Sequence, residues 1–213
     1  MAKLRFRFQT ITIDDIDVHV RTLRDTQQFY DPDHIARDLG ISSSQWSIFG
    51  VVWPSSIVLA NYVATLETKT KQILEIGCGI GLTSLFLQHK NRNITATDYH
   101  PNAETFLQYN ADLNGNPRIP FIQSDWNQVP KQVELFNLII GSDLLYEEGH
   151  VEGLASFVNH HSEKISTFIL VDPGRGFHNK LKRRMELDGF SCKIHKPQVE
   201  GDFKGRILTF TRG

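Results

Sequence analysis

Cysteine is scarce in this chain. Cys78 and Cys192 are the only two in 213 residues, too few and too far apart for a disulfide framework. Net charge is nearly absent as well, with 23 Lys and Arg against 24 Asp and Glu. That balance provides no global field to draw the protein onto nucleic acid or an anionic membrane. No apolar run approaches the ~20 residues of a membrane-spanning helix, and Met1 to Phe6 lack the apolar stretch of a signal peptide. The nine histidines, His160 and His161 among them, show no metal-ligand spacing with the cysteines, so no metal is expected. The expectation is a cytoplasmic globular protein with reduced thiols and with neither a membrane nor a nucleic-acid partner. Repeats and linkers are missing too, which leaves one main domain large enough to bury a core.

What is present is concentrated in Leu74-Glu75-Ile76-Gly77-Cys78-Gly79-Ile80-Gly81, followed seventeen residues later by Asp98. An apolar strand runs into a turn with glycine at every second position, and a second strand ends on a carboxylate. Alternate glycines let a ligand approach the backbone, and a strand-end carboxylate can accept hydrogen bonds from both hydroxyls of a ribose. The dinucleotide fingerprint Gly-x-Gly-x-x-Gly does not fit, because Leu82 stands where its third glycine belongs. A phosphate-cradling loop is excluded too, since no Gly-Lys-Ser/Thr follows the turn. The ligand should therefore carry a ribose without requiring phosphate.

From Ile73 onward, short apolar runs alternate with helical patterns, which predicts a parallel sheet with crossover helices. Strands are expected at Ile73–Ile76, Ile94–Thr97, Phe121-Ile122, Phe136–Ile140 and Thr167–Val171. One helix carries Leu82, Leu85, Phe86 and His89 on one face. A second, opened by Pro101, carries Ala103, Phe106, Leu107 and Leu113. A third carries Val151, Leu154, Phe157 and Val158. A fourth carries Phe177, Leu181 and Met185, with Gly189 closing it. Phe190–His195 and Arg206–Thr211 are separated by about ten residues, too few for a crossover helix, so they should form an antiparallel hairpin. Upstream, Leu4, Phe6 and Phe8 alternate with arginines, and Ile16, Val18 and Val20 alternate with polar residues around Asp14-Asp15. This predicts a β-hairpin extension over residues 1–47, with a short helix and a loop, including Ser42–Ser44, in its second half.

Glu75-x-Gly77-x-Gly79-x-Gly81 with the later Asp98 looks like motif I and the ribose acid of S-adenosylmethionine (SAM) methyltransferases. Phe49-Gly50-Val51-Val52-Trp53-Pro54-Ser55-Ser56 resembles the segment before motif I in the family-16 lysine methyltransferase group. Ser124-Asp125-Trp126 is similar to that group's adenine-side motif, and Asp143-Leu144-Leu145-Tyr146 looks like its Asp-x-x-Tyr signature. Asp172-Pro173-Gly174-Arg175 is similar to the branch acting on the electron-transfer flavoprotein β subunit. The resemblance covers roughly Trp46 to Arg175 in the expected order. It implies an α/β fold: a Rossmann-like, seven-stranded, mostly parallel sheet with the last strand antiparallel. Residues 48–213 would then be the SAM-dependent methyltransferase domain, behind the β-hairpin extension.

Carried over residue by residue, Gly77, Gly79 and Gly81 would pass close to the methionine part of SAM. Glu75 would orient that loop and the ligand's ammonium, Asp98 would hold the ribose, Asp125 would meet the adenine amino group, and Trp126 and Trp53 would wall the ligand. Each has a plainer alternative. Glu75 caps local amides, Asp98 caps the next helix, Trp126 fills core, and Trp53 staples the helix begun by Pro54. Asp143 and Tyr146 would be the catalytic pair. Asp143 would anchor the incoming ammonium rather than act as a strong base, since a nearby carboxylate raises an amine's pKa. Tyr146 would align the amine. Glu147 and Glu148 would extend an acidic rim or simply face solvent. Arg175 would touch substrate or stand in solvent.

Lys180-Leu181-Lys182-Arg183-Arg184 reads as the wet face of an amphipathic helix. The Asn-Pro-Pro-Tyr type tetrad of nucleic-acid base methyltransferases is replaced by Gly141-Ser142-Asp143-Leu144. The implied function is methylation of a lysine side chain in a protein. The rivals are a small-molecule N-methyltransferase for a nicotinamide-like amine, with the extension as a lid, and a SAM-binding module without turnover.

Overall fold

Residues 5–24, 34–126, 134–197 and 203–213 are described by the computed structural model. The chain begins with a two-stranded hairpin, β1 (Phe6–Ile13) and β2 (Ile16–Leu23). Asp14 and Asp15 form its turn at φ 49° and 62°, the left-handed pair that a two-residue hairpin needs and that Asp tolerates. Two short helices follow, α1 (Ile35–Leu39) and α2 (Ser43–Ile48). The expected single helix and loop are thus two helices, and the serine run opens the second of them. Gly40, at φ 73°, closes the first.

The main sheet is built from β3 (Gln72–Ile76), β4 (Asn93–Asp98), β5 (Phe121–Gln123), β6 (Phe136–Ser142), β7 (Ser162–Asp172), β8 (Ser191–His195) and β9 (Arg206–Arg212). Its order is β5-β4-β3-β6-β7-β9-β8. Strands β3 to β7 are mutually parallel, and β9 runs antiparallel to both β7 and β8. The helices are α3 (Pro54–Ala64), α4 (Leu82–His89), α5 (Ala103–Leu113), α6 (His150–His161) and α7 (His178–Leu187).

Successive side chains on a strand point to opposite faces, and two apolar layers result. Ile73, Leu138, Ile140 and Ile169 join the layer beneath α3, α4 and α5. Leu74, Ile139, Phe168 and Leu170 join the layer beneath α6 and α7. Ile13, Val18, Val20 and Leu23 of the hairpin enter the first layer, so the hairpin shares the main core.

Two stripe residues fall outside it. His89 and Leu113, the last residues of α4 and α5, are exposed. Buried Leu87, Asn110 and Ala111 take their places. Pro101 precedes α5 by two residues rather than opening it, and Asn102 is the cap. On α7, three of the four basic residues are paired: Lys180 with Glu148, Arg184 with Glu152 and Asp188, and Lys182 with Glu186. Two of these pairs tie α7 to the neighbourhood of α6, so the basic run stitches helices together.

Candidate active site

From β3 the chain crosses to β4 and β5 on one side, and from β6 it leaves toward β7 on the other. The reversal of strand order between β3 and β6 opens a crevice at the carboxyl ends of the strands, where open α/β sheets bind ligands. Ile76 pairs with both Thr97 and Gly141. That register brings the glycine loop, Asp98 and the turn after β6 to one edge. A cavity of about 640 Å³ lies there, within the ~300–1,000 Å³ usual for small-molecule sites.

Gly77, Gly79 and Gly81 all have left-handed backbones, at φ 62°, 56° and 86°, yet their missing side chains serve different ends. A Cβ on Gly77 would meet Leu144 Cδ2 at 2.5 Å, and one on Gly81 would meet Leu107 Cδ1 at 2.2 Å. A Cβ on Gly79 would meet no heavy atom within 4 Å. Gly79 lines the cavity, and Gly81 does not. Thus Gly79 leaves room at the cavity floor, while Gly81 is required for α4 to pack closely on α5.

Glu75 sits under this loop, buried, with one carboxylate oxygen accepting the Ser84 backbone N–H at 2.9 Å and the Ser84 hydroxyl. Burial raises its pKa to about 7, against the lowering effect of the Ser84 bonds. A helix N-terminus normally welcomes phosphate. Here α4 already has a carboxylate at its first turn, so the position suits a cation. The expected helper of the glycine loop is therefore also the helix cap that its plainer alternative foresaw.

Asp98 closes β4. Its Oδ2 accepts the Gly79 N–H at 2.7 Å and its Oδ1 accepts the His100 N–H at 2.8 Å. Burial raises its pKa, with backbone hydrogen bonds opposing. A carboxylate has about four lone-pair sites. The backbone of Gly79, His100 and Tyr99 occupies three of them, which leaves one for a ligand hydroxyl.

Four acids, Glu75, Asp98, Asp125 and Glu147, line the cavity, and no Lys or Arg does among the described residues. Asp125 and Trp126 follow β5, which Ser124 N–H ties to Asp98 O at 3.1 Å. Trp126 also packs against the core layer under α6 and sets its ring edge-on to His150. Trp53 caps α3, lines the cavity, and donates its indole N–H to Ile48 O at 3.1 Å. It therefore stands at the start of the helix and walls the cavity.

Tyr146 lines the cavity, as does Glu147. Burial, then the Asp143 charge, pushes the Tyr146 phenol well above its ordinary pKa, so it stays a neutral hydroxyl. Asp143 differs from its expected place. It is buried, left-handed at φ 54°, and absent from the cavity lining. Arg175 holds it through Nε to Oδ1 at 2.5 Å and Nη2 to Oδ2 at 3.0 Å, and the same guanidinium lies 4.4 Å from the Tyr146 ring centre. Glu148 is turned to Lys180 at 2.6 Å. Of the acidic pair, only Glu147 faces the cavity.

Phe49 and His100 were missed as site residues. Their rings stack at 3.9 Å with an interplanar angle of 2°, and Trp46 tilts against the same imidazole at 4.6 Å. This stack pins the segment before α3 onto the loop after β4 and builds one cavity wall. Burial lowers the His100 pKa to about 4, so the wall is uncharged at neutral pH. The signal available was position alone, two residues beyond Asp98.

Relatives and solved structures are consistent with this geometry. The chain is 31% identical over 119 residues to the Histidine protein methyltransferase 1 homolog of Dictyostelium discoideum, covering 53% of this chain and 38% of that one. It is 25% identical over 134 residues to the Electron transfer flavoprotein beta subunit lysine methyltransferase of Danio rerio, covering 61% and 50%. The chain thus spans no more than about half the length of these relatives. The T. thermophilus 16S rRNA N2 G1207 methyltransferase (RsmC), solved in complex with AdoMet and guanosine, matches the fold with a TM-score of 0.69 at 13% identity, over 100% of this chain and 52% of that one. Residues 37–184 match the family model described as Lysine methyltransferase, and the chain belongs to that family.

Proposed function

We propose that this chain is a SAM-dependent methyltransferase acting on a lysine nitrogen of a protein. The observation that carries the reading is the cavity's charge: four acids and no Lys or Arg among the described lining residues. Such a site favours a ligand with a sulfonium and an ammonium over one with phosphates. Asp98 would take a ribose hydroxyl on its remaining lone pair, Glu75 would face the ammonium from beneath the loop, and Gly79 would leave the methionine part its path. Asp125 and Trp126 would flank the adenine. When bound, SAM supplies a methyl on a positively charged sulfur.

The residues after β6 would serve the acceptor. A free lysine has a pKa near 10.4, so exposing its neutral form at pH 7 costs about 4.6 kcal/mol. Entry into a cavity beside a positive sulfur lowers that cost, since burial and a like charge both disfavour the ammonium. The neutral Tyr146 hydroxyl would accept an N–H from the amine and aim its lone pair. In the transfer the N–C bond forms as the S–C bond breaks, the electron pair stays on sulfur, and the amine's proton leaves to solvent. Glu147 at the mouth would attract the incoming ammonium. Asp143, engaged by Arg175, would act through the turn that carries Tyr146.

Exposed Ser42, Glu147 and Gly149 line the cavity, so it reaches the surface. This opening supports a protein side chain as acceptor over a small molecule enclosed by a lid. Two free cysteines support a cytoplasmic location, and the paired basic residues of α7 argue against nucleic acid. No described helix is long and apolar enough to cross a membrane.

The test is incubation of the purified protein and methyl-labelled SAM with a lysate from cells lacking it. Label recovered as methyl-lysine after protein hydrolysis supports the proposal. Methyl-histidine would move the acceptor to the residue named for the Dictyostelium relative. Label only in small molecules, or none despite SAM binding, would refute it in favour of the small-molecule enzyme or the silent module.

A further inference from the structure

The two edges of the N-terminal hairpin are treated differently. In β2, the His19 N–H donates to Asn114 Oδ1 at 2.8 Å and Asn114 Nδ2 donates back to His19 O at 2.6 Å. The Arg21 N–H donates to Asn110 Oδ1 at 2.8 Å, and Asn110 Nδ2 returns to Arg21 O at 3.3 Å. The Leu23 N–H goes to Gly50 O at 2.7 Å. Two side-chain amides, Asn110 of α5 and Asn114 at its C-cap, therefore imitate a neighbouring strand, and the β2 edge is closed.

Among the described residues the β1 edge is open. Ile13 and Ile16 flank a two-residue turn and are a hydrogen-bonded pair. The alternation then turns the N–H and C=O of Phe6, Phe8, Thr10 and Thr12 away from β2. Among the described residues none of these groups has a main-chain partner. All four residues are exposed, Phe8 at 60%. An edge of eight regular residues has no proline, lysine or bulge, and Arg7 is its one charged side chain, so little of what usually keeps edges apart is present.

We infer that a second copy of this chain pairs on that edge, β1 antiparallel to β1 across a two-fold axis through Gln9. In that register Phe6 faces Thr12 of the other copy and Phe8 faces Thr10, so all four outward residues are paired at once. The aromatic and β-branched side chains meet across the axis, a favourable cross-strand combination. Charge fixes the direction. Arg7 stands toward one end of the strand, and Asp14 and Asp15 form the turn at the other. Asp14 is held by Lys90 at 2.7 Å, whereas Asp15 pairs with no cation among the described residues. Antiparallel pairing sets each basic end beside the other copy's acidic turn; parallel pairing would set like charges together. The product is a four-stranded sheet, β2-β1-β1-β2, isologous as a two-fold contact must be. One strand pair buries little surface, so the dimer is weak.

Amide exchange by NMR on the full chain, at about 10 µM and about 500 µM to span a weak interface, reads the pairing directly. The expected result is alternation. Phe6, Phe8, Thr10 and Thr12 amides gain protection with concentration, while those of Arg7, Gln9 and Ile11 are protected throughout. Sedimentation should show a dimer that Phe8→Lys/Thr10→Lys weakens at least tenfold, because those lysines would face one another across the axis. Both positions are exposed and remote from the cavity, so thermal unfolding and SAM binding should not change. A monomer at 500 µM, a dimer indifferent to the lysines, or protection without alternation would each overturn the inference. None of these outcomes bears on the methyltransferase reading.

Discussion

Arg175 forks onto Asp143, one guanidinium nitrogen to each carboxylate oxygen, at 2.5 and 3.0 Å. The Asp143 side chain is 6% exposed and that of Arg175 36%. The carboxylate expected from sequence to await an ammonium thus already has a cation, and a planar bidentate one. The pair stands beside Tyr146 and stiffens the left-handed turn that presents it.

Arg175→Gln should therefore act first on stability and acceptor alignment. It leaves a buried carboxylate without its partner, a loss of 3–5 kcal/mol for a fully buried pair. With Arg175 partly in solvent, about 2 kcal/mol is expected. Asp143→Asn/Arg175→Gln should recover part of that loss, because no unpaired charge remains. Denaturant unfolding of both variants gives the number. SAM affinity, measured by calorimetry, should be unchanged in each; equal loss of cofactor binding would show that the pair belongs to the SAM site.

Asp98→Ala should do the opposite. The proposed charge-assisted bond to a ribose hydroxyl would be removed, worth about 1.5–3 kcal/mol before relaxation. About 2 kcal/mol is a fall in SAM affinity of roughly 30-fold. The Gly79 N–H loses its acceptor at the same stroke, so the loop loosens. Calorimetry with SAM reads the loss, and a change under threefold would move the ribose elsewhere.

The sheet was legible because most of its strands are apolar runs, and the placement of Gly77, Gly79 and Asp98 on one cavity because their spacing follows two adjacent strand ends. The helix stripes were read correctly until the last turn, where His89 and Leu113 are exposed; periodicity says which face a residue occupies, not where the core stops. Gly81 carries the same left-handed backbone as Gly79, and only the position of Leu107 separates its role from that of Gly79. The Asp143–Arg175 pair, 32 residues apart, and the Phe49–His100 stack join segments that no local pattern connects. Residues 127–133 and 198–202, the second including the expected Gly201-Asp202 loop, lie outside the described residues.

Tyr146→Phe should leave SAM affinity and the fold intact while label transfer to lysate protein falls by about 10- to 100-fold. The ring and its contact with Arg175 remain, and one hydrogen bond to the amine disappears, worth about 1–3 kcal/mol in a desolvated site. The phenol's raised pKa predicts that no tyrosinate limb appears in the rate below pH 10. Such a limb would make Tyr146 a base rather than an aligning group.

Glu75 ties cofactor binding to a pH-dependent cost. Its folded pKa of about 7 exceeds the ordinary 4.5, so between those values the folded protein holds a proton that the unfolded chain releases. Stability must then fall as pH rises through that window. The span corresponds to about 3 kcal/mol as an upper figure, reached above pH 7, because desolvation of the charged form is its main cause. Glu75→Gln keeps an acceptor for the Ser84 N–H and hydroxyl but carries no charge. Without SAM, the variant should match the parent near pH 5 and exceed it by up to about 3 kcal/mol at pH 8. With SAM the order should reverse in binding, since an uncharged amide attracts the ligand's ammonium less than a carboxylate does. Urea unfolding at the two pH values, alongside SAM calorimetry at pH 8, tests both halves. A variant no more stable than the parent at pH 8 would mean that Glu75 is ionised without cost, its burial relieved by the cap on α4.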